Sequence, residues 1–200
     1  MIVLDVETTG RDPVKHSIVS MGAIDFSKPT YQLYRECRMR AGAEVTAEAL
    51  AINGFTEEQV KDPRKPSLDV IMRDLCGWIL MVDDRTLAGQ NPSFDRDFCS
   101  VAAAYYHIPL VLGSRTIDLH TLCYAHHLRR GLQPPQKNGR TDLNTDKILQ
   151  YVGLPPEPQP HHALTGAKME AEAFSRLISG KGLLPEFAQY PVPAYLGHNL

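Results

Sequence analysis

Asp5 and Glu7 stand two positions apart in the run Ile2-Val3-Leu4-Asp5-Val6-Glu7. In a β-strand both carboxylates leave the same face. Two carboxylates on one face of a core strand repel each other and are costly to bury, and a divalent cation removes both problems. A strand end at which both reach water is the plainer alternative. Asp95 adds a third carboxylate, in the first turn of a helix expected to open at Asn91-Pro92, where the helix dipole alone would also favour it. His161-His162, just before a last helix, bring imidazoles that titrate near neutral pH and suit general-base work. Histidines at such a place also serve as surface or capping residues.

The elements that must position these groups can be read along the chain. Residues 2–7, 17–26 and 31–39 read as three strands, with Lys28-Pro29-Thr30 between the last two suggesting an antiparallel meander. Residues 46–60 read as short helical or irregular structure, and 67–82 as an amphipathic helix with Ser67 as its N-cap. Thr86-Leu87-Ala88-Gly89 ends a short strand. The helix after it carries Phe94, Phe98, Val101, Ala102 and Tyr105 at helical spacing. Residues 115–128 begin extended and turn helical. Residues 129–141 read as a proline- and glycine-broken loop bearing Arg129, Arg130, Lys137 and Arg140 and no acidic residue, and such a loop could steer a nucleic-acid backbone or be a solvated surface loop. A helix over 142–153 ends at Gly153, a proline-rich connector spans 155–160, and a last helix covers 164–179. Antiparallel strands followed by alternating helices and strands indicate an α/β domain on a mixed sheet.

Two hundred residues suffice for one well-cored domain. We assign it to residues 1–180, with an irregular tail over 181–200. Cys37, Cys76, Cys99 and Cys123 are scattered without metal spacing and read as reduced, buried thiols. No apolar run approaches the roughly 20 residues of a membrane span, and the start has no signal-peptide pattern, so the expected location is the cytoplasm with no membrane partner. A net charge of −2 argues against whole-surface attraction to nucleic acid. An acidic site filled with metal ions is nonetheless locally positive.

Taken together, three strings resemble the DEDDh 3′–5′ exonucleases, the superfamily of polymerase proofreading subunits and ribonuclease T. Asp5-Val6-Glu7-Thr8-Thr9-Gly10 resembles the first motif, Asn91-x-x-Phe94-Asp95 the second, and His161-x-Ala163-Leu164-x-Gly166-Ala167 the third. Residues 48–58 and Thr116-Ile117-Asp118-Leu119 resemble the segments flanking the second motif, and the likeness covers roughly 1–180. It implies a ribonuclease-H-like fold whose mixed central sheet, three antiparallel strands and then parallel ones, is flanked by helices. It implies two Mg²⁺ or Mn²⁺ ions held by Asp5, Glu7 and Asp95, His161 rather than His162 as the general base, and substrate contacts from Thr8, Thr9 and Asn91.

The departure is Gly166, where the family places its last aspartate. Glu170, one turn on and about 40° round the helix, could reach the same space, since helical side chains lean toward the N-terminus. Glu172 borders the opposite side and is a poor candidate. Two other readings are a site with one weak metal position and a relative that does not cut. The expected function is therefore metal-dependent 3′–5′ exonucleolytic release of nucleoside monophosphates from single-stranded DNA or RNA ends. The alternative is a weakened relative that binds 3′ ends without efficient cleavage. A phosphotransfer enzyme with Asp5 as nucleophile would need a downstream lysine–acid pair, and the sequence offers no convincing one. A homodimer and a polymerase or repair partner are both compatible with the resemblance.

Overall fold

Strand β1 (Ile2–Thr8) is apolar at every position before its end except for the two carboxylates. That composition suits a central strand covered on both faces. Ile2, Leu4 and Val6 join one buried cluster, and Val3 joins another. The period-2 alternation therefore sends Asp5 and Glu7 to the side of Val3. The computed structural model describes residues 1–197; the last three residues of the expected tail lie outside the described residues.

β2 (Ile18–Asp25) and β3 (Gln32–Glu36) follow as the antiparallel meander expected of them. Two short helices, α1 (Ala47–Asn53) and α2 (Glu57–Lys61), precede the amphipathic α3 (Leu68–Leu80). Ser67 occupies the N-cap position of α3, but its hydroxyl turns to Asp69 and caps no backbone amide. β4 (Leu87–Gly89) then runs parallel to β1, α4 (Pro92–Tyr105) starts with proline in its first turn, and β5 (Thr116–Asp118) adds a second parallel pairing. The sheet order is β3-β2-β1-β4-β5, a mixed five-stranded sheet with β1 at its centre.

After α5 (Leu119–Arg129) the expected loop contains a hairpin, β6 (Gln136–Lys137) and β7 (Arg140–Thr141). Asn138 and Gly139 turn it, both at positive φ (52° and 71°), as two-residue hairpin turns require. α6 (Thr145–Tyr151) is shorter than expected, and Gly153 beyond it adopts φ 78°. α7 (Ala163–Ser179) packs across β1 and β2.

The two faces of the sheet have separate cores. α3 and α4 bury Ile71, Leu75, Phe98 and Ala102 against Ile2, Leu4 and Val6. α5, α6 and α7 bury Cys123, Leu149 and Phe174 against Val3 and Ile24. Leu184 and Leu196 of the tail are buried in the second core, so this segment packs although it is irregular. All four cysteines are free and buried.

Candidate metal centre

The carboxylates converge where the sheet opens. β1 and β4 are paired only over Ile2↔Leu87 and Val3↔Ala88. Beyond that point the strands diverge, and backbone amides that would have bonded across the ladder need other acceptors. Asp95 Oδ1 accepts the N–H of Val6 (3.0 Å), and Glu170 Oε2 accepts that of Gln90 (3.1 Å). The two acids thus cap the open end of the parallel pair, one from α4 and one from α7. The crevice beyond the carboxyl ends of parallel strands is a recurrent ligand site in α/β sheets.

Gly22 sets the approach of α7 to the sheet. It stands opposite Asp5 in the β1–β2 register. A Cβ on Gly22 would meet the backbone nitrogen of Leu164 at 2.2 Å, so the first turn of α7 lies directly on β2. Gly166 then faces Asp5 so closely that a Cβ there would stand 2.2 Å from Asp5 Oδ2. The space over Gly166 is filled by the carboxylates of Asp5 and Glu157.

Asp5, Glu7, Asp95, Glu157, Glu170 and His161 all line one cleft of about 720 Å³. Helix α1 forms its opposite wall and is fixed by the ends of the site strand: Thr46 N–H donates to Thr9 O (2.8 Å) and Asn53 Nδ2 to Thr8 O (3.0 Å). The same helix holds the histidine, since His161 N–H donates to Ile52 O (2.9 Å). His161 Nδ1 lies 3.6 Å from Glu157 Oε2. His162 turns elsewhere and stacks on Tyr34.

Burial dominates the electrostatics. It pushes Asp5 up to about 7, against a hydrogen bond from Val6. It pushes Glu7 up to about 8, reinforced by the charges of Asp5 and Glu157. Glu157 rises to about 8 through burial, then Asp5 and Asp146, against a hydrogen bond from the backbone of His162. Asp95 and Glu170 are raised well above the carboxylate range by burial and then by Asp5. Burial lowers His161 and so favours its neutral, proton-accepting form. Five acids raised by desolvation, four of them by the charge of Asp5 as well, are a set of hard oxygen donors suited to Mg²⁺ or Mn²⁺. One oxygen each of Glu7 and Glu157 and a ring nitrogen of His161 also lie within 4.8 Å of one another.

The remaining predicted site residues divide. Thr8 lines the cleft, with its hydroxyl donated to Gly10 O (2.7 Å). Asn91 lines it too, in a left-handed conformation (φ 56°) that asparagine tolerates better than most residues. Thr9 is placed otherwise than expected. It is fully buried, its N–H donates to Ser17 O (2.9 Å), and its hydroxyl donates to Glu44 O (2.6 Å) and accepts from Ser17 N–H (3.0 Å). Both of its donors are committed inside the protein, so it shapes the loop and offers nothing to a substrate. Glu157 was absent from the sequence-predicted set; its signal is slight, a single acid in a proline-rich connector four residues before His161. Glu172, set aside above, is wholly buried in an ion pair with Arg176 (2.7 Å).

The RNase_T family, described as an exonuclease, matches residues 2–174. The chain is 34% identical over 185 residues to the DNA polymerase III subunit epsilon of Rickettsia typhi, covering 90% of this chain and 74% of that one. It is 24% identical over 182 residues to the PolC-type DNA polymerase III of Thermotoga maritima, covering 88% of this chain and spanning only 12% of that protein's length. Among solved structures, the nuclease domain of 3′hExo, a DEDDh family member bound to rAMP, superposes with a TM-score of 0.67 at 14% identity, covering 96% of this chain and 94% of that one. Escherichia coli exonuclease I with a 5cy-dT13 oligonucleotide superposes with a TM-score of 0.69 at 14% identity, covering 86% and 39%. At such identities these likenesses bear on the fold.

Proposed function

Because the chain belongs to the RNase_T exonuclease family, we propose that it hydrolyses single-stranded DNA or RNA from the 3′ end, releasing nucleoside monophosphates with two divalent metal ions. The observation that carries this reading is the convergence of Asp5, Glu7, Asp95 and Glu170 with His161 on one cleft.

Asp5, Glu7, Asp95 and Glu170 would hold Mg²⁺ or Mn²⁺. When bound, such ions polarise a phosphodiester and lower the pKa of attacking water. His161 would accept the proton of the attacking water. Its neutral form is favoured by burial, which suits a general base at neutral pH. The terminal nucleotide enters between the strand side of the cleft and α1. There Phe94 and Ile52 offer apolar surface for a base, and Thr8 and Asn91 offer polar groups for sugar and phosphate. Asn53 holds the strand end from which Thr8 projects.

The relative named as a DNA polymerase III subunit supports a polymerase partner for this activity; a repair partner, a homodimer and a cytoplasmic setting are further readings to test. Residues 1–180 form the nuclease unit in this reading, with the following segment packed on it.

The deciding assay incubates 5′-labelled single-stranded DNA and RNA oligomers with Mg²⁺, with Mn²⁺ and with chelator, beside an Asp5→Ala control. A metal-dependent ladder shortening from the 3′ end and absent in the control is expected. Intact binding without cleavage under either metal would overturn the catalytic reading.

A further inference from the structure

Glu157 enters the cleft from the connector between α6 and α7. Its side chain is only 7% exposed, and its Oε1 has no hydrogen-bond partner among the described residues. Its one ion-pair contact among the described residues is His161, at 3.6 Å from the other oxygen. A buried carboxylate oxygen that accepts nothing is costly and calls for a ligand.

Gly166 makes the room for it. A Cβ at position 166 would stand 3.2 Å from Glu157 Oε1 and closer still to Asp5. Any side chain there would compete for the volume that these two carboxylates occupy. The unused oxygen of Glu157 therefore points into the gap between α7 and β1, where Asp5 and Glu7 also present theirs. Glu170 is differently placed. It caps Gln90 N–H and lies against Gly89, 3.3 Å from the position of a Cβ there. It is anchored at the open end of the sheet, whereas Glu157 Oε1 has no partner among the described residues.

We propose that Glu157 is a metal ligand of this centre, supplying with Asp5 and Glu7 the oxygen donors on the side where α7 carries only a glycine. The ligand is a hard divalent cation such as Mg²⁺ or Mn²⁺, which a carboxylate oxygen set suits. The assignment rests on the reading of the cleft as a metal centre, and it adds a donor from outside the strands and helices that carry the others.

The test is Mn²⁺ binding to the full chain, by calorimetry and by electron paramagnetic resonance, for wild type, Glu157→Gln and Asp5→Asn. Even the partners of metal ligands affect affinity by about 10–100-fold, so Glu157→Gln should weaken Mn²⁺ binding at least about tenfold. Glutamine preserves the volume and stays neutral at every pH, so the metal-free thermal midpoint should not fall. Crystals of the wild type soaked in Mn²⁺ should show anomalous density within about 2.0–2.6 Å of a Glu157 oxygen; this arm decides the matter even if the variant folds poorly. Unchanged affinity in Glu157→Gln, with binding abolished in Asp5→Asn, overturns the role of Glu157 and leaves the metal centre standing. Anomalous density remote from Glu157 does the same. Failure of the wild type to bind Mn²⁺ overturns both.

Discussion

The ring of His162 lies on that of Tyr34, centroids 4.2 Å apart and planes 23° apart, while its neighbour His161 faces the cleft beside Glu157. The adjacent histidines thus have separate surroundings. His161→Ala should lower kcat by about 10²–10⁴-fold, the usual contribution of a positioned base, with Mn²⁺ affinity largely kept. His162→Ala should leave kcat within a few-fold and cost about 0.5–1.5 kcal/mol of stability for the lost stacking. Single-turnover rates and denaturant melts of the two variants separate these effects, and a reversal of the order would remove His161 as the base.

The metal-free protein should lose stability as the pH rises. Glu7 and Glu157 both move from an ordinary 4.5 to about 8 in the folded chain. A carboxyl raised by folding contributes stability that is complete below its unfolded pKa and lost as the pH climbs through its folded one. The window is therefore about pH 4.5 to 8, and the thermal midpoint in chelator should fall across it. Added Mn²⁺ should restore more of the midpoint at pH 8 than at pH 5, because the ligands must be deprotonated to bind. A midpoint in chelator that is flat or rising across this range would contradict the burial of these acids.

Gly22 and Gly77 should respond oppositely to alanine. At Gly22 a Cβ runs into the backbone of Leu164, whereas at Gly77, in the middle of α3, it meets nothing within 4 Å. Gly22→Ala should cost at least about 1–3 kcal/mol, as overpacking does, and weaken Mn²⁺ binding by moving α7 off the sheet. Gly77→Ala should stabilise by up to about 1 kcal/mol through helix propensity. Urea titrations give both values; a neutral Gly22→Ala would mean that α7 does not sit as described.

Arg176 and Glu172 should matter to stability without touching the chemistry. The Arg176 Nη groups also donate to Val152 O (3.0 Å) and Tyr190 O (2.9 Å), and Glu172 Oε2 accepts the N–H groups of Leu183 (2.7 Å) and Leu184 (2.9 Å). Breaking a buried pair from one side costs about 3–5 kcal/mol, and Arg176→Met should cost that much. Adding Glu172→Leu should recover only part of it, because the two leucine amides then lose their acceptor. Equilibrium unfolding of the single and double variants tests this, and full recovery in the double variant would show that the tail needs no such anchor.

The strands, the long helices and the main acidic residues were legible for a physical reason: β1 must be apolar on both faces, so its carboxylates stand out, and Asn91-Pro92 marks the start of α4 by turn chemistry. The Asn138-Gly139 hairpin was written in the sequence as well, but the surrounding prolines and basic residues give the stretch the composition of a loop. Gly22 was not legible, because its importance lies in a helix more than a hundred residues away in the chain. Glu157 was not legible because a connector has no periodicity to say which way a side chain points. Thr9 sits inside a motif, yet its groups are satisfied by Ser17 and Glu44, partners that only the folded loop brings to it.

Asp95 and Glu170 differ from Asp5 and Glu7 in what their loss would do. Each is also a stitch in the backbone where β1 and β4 part. A lineage released from selection for cutting could discard Asp5 or Glu7 and relieve a buried repulsion, becoming sturdier as it fell silent. It could not replace Asp95 or Glu170 by an apolar residue without leaving a peptide amide unsatisfied. Decay of the centre would thus be ordered, and acceptor side chains surviving at 95 and 170 would testify to the fold rather than to the reaction.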